Sequence, residues 1–173
     1  MFKQTPLVQN VKTNLMRFDA NGNPLASSLA PYTSTTLDTP FPTIANATDG
    51  DLTTDTGTGI KAFSATGGAI DLFYDLGASY LVDIGVIAKL WTTSGATNIF
   101  MSIGSSNSSF AYDGYPSFNA NPGATSEPTD PHFPKVVRGY GRYIKFHFSV
   151  SGATNPFTMS LKIASLIVNL VSV

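Results

Sequence analysis

The chain has 173 residues, a net charge of −1, 12% charged residues and no cysteine. These figures suit one domain, or one domain with an arm, exclude disulfides and thiolate metal sites, and leave no basic footprint for nucleic acid. Glu127 is the single glutamate, whereas Thr, Ser, Gly and aromatic residues abound, which disfavours exposed helices and makes an all-β fold the expectation.

At the amino end, Met1-Phe2-Lys3-Gln4-Thr5-Pro6-Leu7 lacks the continuous apolar stretch of a secretory signal. No apolar run reaches the roughly 18–20 residues that span a bilayer, so membrane insertion is not expected. Residues 1–43 read as a Pro- and Thr-rich arm or edge extension, with a strong turn signal at Asp19-Ala20-Asn21-Gly22-Asn23-Pro24. Pro31, Pro40 and Pro42 interrupt any ladder beyond it.

Alternation then becomes clear. Ile70, Leu72, Tyr74 and Leu76 share one face of a predicted strand, and Val82, Ile84, Val86, Ala88 and Leu90 share one face of the next. Ile99, Met101 and Ile103 mark a third, and Ile144, Phe146 and Phe148 a fourth. In the last segment, Met159, Leu161 and Ile163 are followed by Leu166, Val168 and Leu170. The step of three between Ile163 and Leu166 predicts a bulge near Ala164-Ser165. Between the third and fourth strands, 112–135 is a long, Pro-rich connection carrying Tyr112, Tyr115, Phe118 and Phe133. A connection of that length without periodicity is often functional, and a plain surface loop is the alternative.

Four segments resemble the discoidin or coagulation-factor C-type domain of the galactose-binding-like jelly rolls. Ala47-Thr48-Asp49-Gly50-Asp51-Leu52-Thr53-Thr54 is similar to the family's early A-x-D-G-D-x-x-T loop. Ile70 to Gly77, with Val82 to Ile87, resembles a strand ending in Asp-Leu-Gly and the run after it. Asn98 to Ser102, with Ser106 to Phe110, is similar to the strand and turn that follow. Arg142-Tyr143-Ile144-Lys145-Phe146 matches the R-Y-I-[RK] strand, and Leu161 to Val168 sits where the closing strand belongs.

The resemblance spans residues 44–171 and implies an antiparallel β-sandwich over 44–173 whose loops gather at two ends and bind carbohydrate, phospholipid or protein. It also implies a structural calcium, held by the Asn46 carbonyl, the Asp49 carboxylate, the Asp51 carbonyl and Thr54, with Ala164 on the closing strand. Ser165 stands where the family often has a glutamate, which weakens that set. A plain Asp-Gly turn without metal is the alternative.

A sugar site needs an aromatic platform beside polar groups that fix hydroxyls. Trp91, Tyr112, Tyr115, Arg138, Tyr140 and Arg142 are the candidates. The structural alternative is that Trp91 caps the core and that Arg142 pairs with a strand-edge carboxylate such as Asp75. His132 and His147 have no partner at a recognisable spacing. Asp71 and Asp75 share a strand face, where like charges commonly stay solvated. No nucleophile elbow, zinc-binding helix or phosphate loop occurs, so catalysis is not expected.

Two functional expectations result. The first is a virion component, a phage capsid decoration or cement protein or a tail-associated subunit. It would be assembled in the host cytoplasm and would dock on protein neighbours, or on copies of itself, through its arm. The second is a carbohydrate-binding module.

Overall fold

The computed structural model describes residues 13–25, 29–31, 33–96, 98–106, 117–119, 124–131 and 136–171. In chain order it contains β1 (Thr33–Ser34), a 3-10 turn (Ile44–Ala47), β2 (Thr58–Phe63), β3 (Gly67–Thr92), β4 (Asn98–Ser106), β5 (Ser117–Asn119), β6 (Val137–Ser151) and β7 (Phe157–Leu170). Every pairing between these strands is antiparallel, in the order β2-β7-β3-β6-β4-β5, with β1 added to β3. The all-β antiparallel architecture matches the expectation.

The two predicted strands, one carrying Ile70 to Leu76 and the next Val82 to Leu90, are one strand. β3 continues through Gly77, which takes φ +81°, a conformation open to glycine at little cost. Opposite this point β6 moves only from Tyr143 to Gly141 while β3 moves from Asp75 to Tyr80. Leu76 and Tyr80 lie an even number of residues apart, so the alternation stays in phase across the irregularity.

β3 also changes partners along its length. Its first part pairs with β6, and Val82 to Thr92 pairs with β7. β3 thereby links β6 and β7 in one hydrogen-bonded sheet, with Val82 to Ile84 paired to both. Ile70, Leu72 and Tyr74 pack with Ile144, Phe146 and Phe148, while Val82, Ile84 and Leu90 share the same core with Leu161, Ile163 and Val168. Burial of that apolar surface is the main stabilising term, about 25 cal/mol per Å2.

The predicted bulge lies where the period broke. Ile87 pairs with Ser165 and Ala88 with Ile163, so Ala164 is the extra residue. Ile163 and Leu166 both end up fully in the core as a result. The predicted turn also forms: Asp19 Oδ1 accepts from the amides of Asn21 (2.9 Å) and Asn23 (2.8 Å).

The described part of the leader packs against its own sandwich. Leu15 N donates to Val168 O at 2.7 Å, Leu170 N donates to Thr13 O at 2.8 Å, and Met16 is fully buried. β1 adds to the edge of β3, Thr33 opposite Phe73 and Ser34 opposite Leu72.

Candidate functional site

At the start of β6 the sequence reads Arg138-Gly139-Tyr140-Gly141-Arg142. A side chain at Gly139 would collide with Ser105, and one at Gly141 would lie 2.6 Å from the Ser106 carbonyl oxygen. The inner side of β6 is filled by the β4 backbone at this point. The two glycines permit that approach, and the larger side chains between them turn outward.

Tyr140 is 60% exposed, one of three large hydrophobic side chains among the described residues that stand so open. The arginines beside it are held in place. Arg138 Nε and Nη2 donate to the two carboxylate oxygens of Asp83 at 2.8 and 3.1 Å, and Asp83 itself is buried. Arg142 Nε and Nη2 donate to Asp75 at 2.6 and 2.7 Å, and Gly77 N adds a third hydrogen bond at 2.8 Å. The Arg142 hydrogen bonds hold the Asp75 carboxyl below its ordinary value against a smaller desolvation effect. Such paired, forked geometry fixes the guanidinium planes before any ligand arrives.

Asp75 also lines a hollow of about 120 Å3 together with Phe18, Asp19, Leu25 and Tyr80. Leu81 is the cross-strand partner of Tyr140 and Tyr80 that of Gly141, so Tyr80 points to the side of the sheet opposite that of Tyr140. Phe18, Tyr80 and the Asp83 carboxylate were not singled out in the sequence, whereas Asp75 was named there as the structural partner of Arg142. The alternation of Gly with Arg, Tyr and Arg was the available signal, since it marks a strand with no room on one side.

The predicted site residues do not all converge. Arg138, Tyr140 and Arg142 share the start of β6, and Arg142 makes the Asp75 pair that was its structural alternative. Trp91 is half-buried on β3 opposite Ser160. It lies eight residues beyond Asp83, the partner of Arg138, roughly 26 Å along the strand. Tyr112 and Tyr115 lie outside the described residues, as does His132.

Two further expectations are corrected. His147 does have a partner, with Nδ1 lying 2.5 Å from Asp71 Oδ1, and Lys145 Nζ is 3.3 Å from Asp71 Oδ2. Asp71 and Asp75 are therefore paired rather than merely solvated. Burial disfavours the charged form of Asp71, but the His147 hydrogen bond and the charges of His147 and Lys145 outweigh it and lower the carboxyl pKa. Sequence spacing hid these pairs because their members lie on different strands.

The implied calcium loop has its sharp turn, with Gly50 at φ +75°. Its oxygens are engaged internally: Asp49 accepts from Asp51 N at 2.8 Å and from Thr54 Oγ1 at 2.9 Å, and Thr54 Oγ1 also lies 3.0 Å from the Asp51 carbonyl. Asn46 Nδ2 donates to the Asp55 carbonyl at 2.9 Å. On the closing strand, Ala164 has no side-chain oxygen and Ser165 is buried. Arg17 packs over the turn so closely that a side chain at Gly50 would lie 2.5 Å from its Nη1. Among the described residues no group of three or more His, Asp or Glu side chains could hold a metal. The single carboxylate of the implied set, Asp49, with an arginine packed against the turn, does not fit the six to eight oxygens that calcium takes. The loop is a hydrogen-bonded Asx turn.

No protein-family model and no curated protein matches the sequence. Among solved structures, the chain is similar to a CBM32 module of a family 31 glycoside hydrolase from Clostridium perfringens, with TM-score 0.50 and 14% identity over 83% of this chain and 91% of that one. A mutant chitosan-binding module from a chitosanase/glucanase of Paenibacillus sp. IK-5 gives TM-score 0.43 and 15% identity, covering 91% and 98%. The CBM32 of AlyQ, in complex with 4,5-unsaturated mannuronic acid, gives 0.41 and 18%, covering 82% and 95%.

Proposed function

We propose that this chain, whose fold is the galactose-binding-like, discoidin-type jelly roll, is a non-catalytic carbohydrate-binding module. The observation that carries the reading is the exposed Tyr140 ring between two arginines whose guanidinium groups are clamped by Asp83 and Asp75. A sugar ring stacks its apolar C–H face on an aromatic ring, while preoriented donors bind its hydroxyls. Because Asp75 and Asp83 already hold the arginines, little rotamer entropy is lost on binding.

Support also comes from the fold, since the C. perfringens module that shares it is a carbohydrate-binding module. The other expectation, a virion component docking through its arm, gains nothing from the described leader. Its β1 pairs with β3 of the same chain and its Met16 is buried in the same core.

Calorimetry against a glycan panel tests the reading. Tyr140→Ala is expected to weaken binding by about tenfold or more, the worth of a lost aromatic stack, with the melting temperature unchanged. Retention of full affinity in Tyr140→Ala would remove the platform from the site.

A further inference from the structure

A second concavity lies on the outer face of β3 and β7. It has a volume of about 210 Å3, and Leu52, Thr53, Thr54 and Asp55 are among the residues that line it. Lys89, Lys162, Thr129 and Pro131 line it as well.

The two lysines are direct cross-strand partners. Like charges facing each other in this way destabilise a sheet. Glu127 resolves the conflict. Its Oε1 accepts from Lys89 Nζ at 3.2 Å and from Lys162 Nζ at 3.1 Å, and Asp55 Oδ2 lies 3.8 Å from Lys162 Nζ. Burial opposes ionisation of Glu127, but the hydrogen bonds and charges of Lys162 and Lys89 overcome it and keep the carboxyl below its ordinary value.

The lining carries two ammonium groups and the Asp55 carboxylate, and Glu127, which does not line the hollow but bridges both lysines, brings the charge of the group to zero. An anionic ligand would approach Asp55 and Glu127, and a cationic one would approach Lys89 and Lys162. A neutral polyol avoids both conflicts, because each hydroxyl donates and accepts. An ammonium carries three donors, and among the described residues Lys89 gives one of them, to Glu127. Leu52, 64% exposed at the rim, supplies an apolar surface for a ring's C–H face together with Pro131 and Ala164. The volume lies below the roughly 300 Å3 at which drug-sized pockets begin, which suits one ring rather than a chain.

We propose that this hollow is a second saccharide site, selective for a single neutral polyhydroxylated ring and independent of the Tyr140 platform. The proposal rests on the carbohydrate reading of the fold and adds a location and a ligand class to it.

The test is an amide chemical-shift titration of the full chain with galactose and N-acetylglucosamine, with glucuronate and glucosamine as charged probes. Neutral sugars are expected to shift the amides of 52–55, 88–89 and 162 in the wild type and equally in Tyr140→Ala. Lys89→Met is expected to weaken that response roughly tenfold, as for loss of one charge-assisted hydrogen bond. Thr129→Val, which leaves the charges in place, should weaken it as well. A response confined to the surroundings of Tyr140 would overturn the second site while leaving the platform. Loss of the 52–55 response in Tyr140→Ala would overturn independence, and stronger binding of glucuronate or glucosamine would overturn neutral selectivity. Silence in both regions with every probe would remove the second site and the carbohydrate reading together.

Discussion

Where β3 faces β6, each outward carboxylate has a basic side chain as partner on the neighbouring strand. Asp71 lies opposite His147, Asp83 opposite Arg138, and Asp75 takes Arg142, the residue beside its own cross-strand partner. Where β3 faces β7 the arrangement reverses, with Lys89 opposite Lys162. The first face is satisfied by strand register alone. The second depends on a residue from outside the sheet, Glu127 in the 124–131 segment, whose only other backbone tie to β3 among the described residues is Thr92 N donating to Ala124 O at 3.1 Å. A face of complementary pairs is self-contained, whereas a face of like charges stays open to a third party. That difference separates a platform with clamped arginines from a hollow with charges directed into it.

The largest expected effect lies on the self-contained face. Asp71→Ala leaves the half-buried Lys145 and His147 without their shared carboxylate. It is expected to cost about 1–3 kcal/mol, several degrees of melting temperature for a chain of this length. A change of under a degree would show that the β3–β6 face does not hold the sheet together through these pairs.

On the open face the effect is smaller and conditional. Glu127 is partly solvent-exposed, so Glu127→Gln is expected to cost at most about 1 kcal/mol after screening. Most of that loss should disappear when Lys89→Met is combined with it, because the like-charge opposition is then gone. Additive effects in denaturant melts would mean that Glu127 is not there to neutralise the pair.

Acid should act on both faces in the same direction. Asp71, Asp75 and Glu127 all have folded pKa values below their ordinary ones, 3.8 for the aspartates and 4.5 for the glutamate. The unfolded chain therefore binds more protons in that window, so stability contributed above these values is lost as pH falls through the lower folded ones. In Asp71→Ala the slope of melting temperature against pH below these values should be shallower than in the wild type. An unchanged slope would place the titrating groups elsewhere.

The smallest effect belongs to the loop outside both faces. Because Asp49 and Thr54 are closed on each other, a chelator is expected to leave the melting temperature unchanged. A fall of several degrees in its presence would restore a metal to that turn.

The strand segments of β3, β4, β6 and β7 were legible because alternation is a local property, although β3 read as two strands and β1, β2 and β5 were not predicted. Each residue's phase depends only on its neighbours in the chain, and even the bulge at Ala164 showed as a break in that phase. The early loop was legible for the same reason, since Asp49, Gly50 and Thr54 form their turn among themselves. The Gly139 and Gly141 pattern marked the crowded side of β6, but not the β4 backbone that crowds it.

Pairing was legible only for Arg142 with Asp75, which the sequence offered as an alternative. Whether Asp71 meets His147, or Lys89 meets Lys162, depends on the register between strands that are far apart in sequence. A slip of one residue would send every one of these side chains to the other face. By itself the sequence determined an all-β chain, its strand phases and its aromatic and charged candidates. Only the tertiary structure decided that Tyr140 stands exposed between clamped arginines, that Trp91 lies far along β3, and that Glu127 bridges two lysines that line a hollow. Register and the placing of β3 between β6 and β7 come from packing of the whole core, which no local window contains.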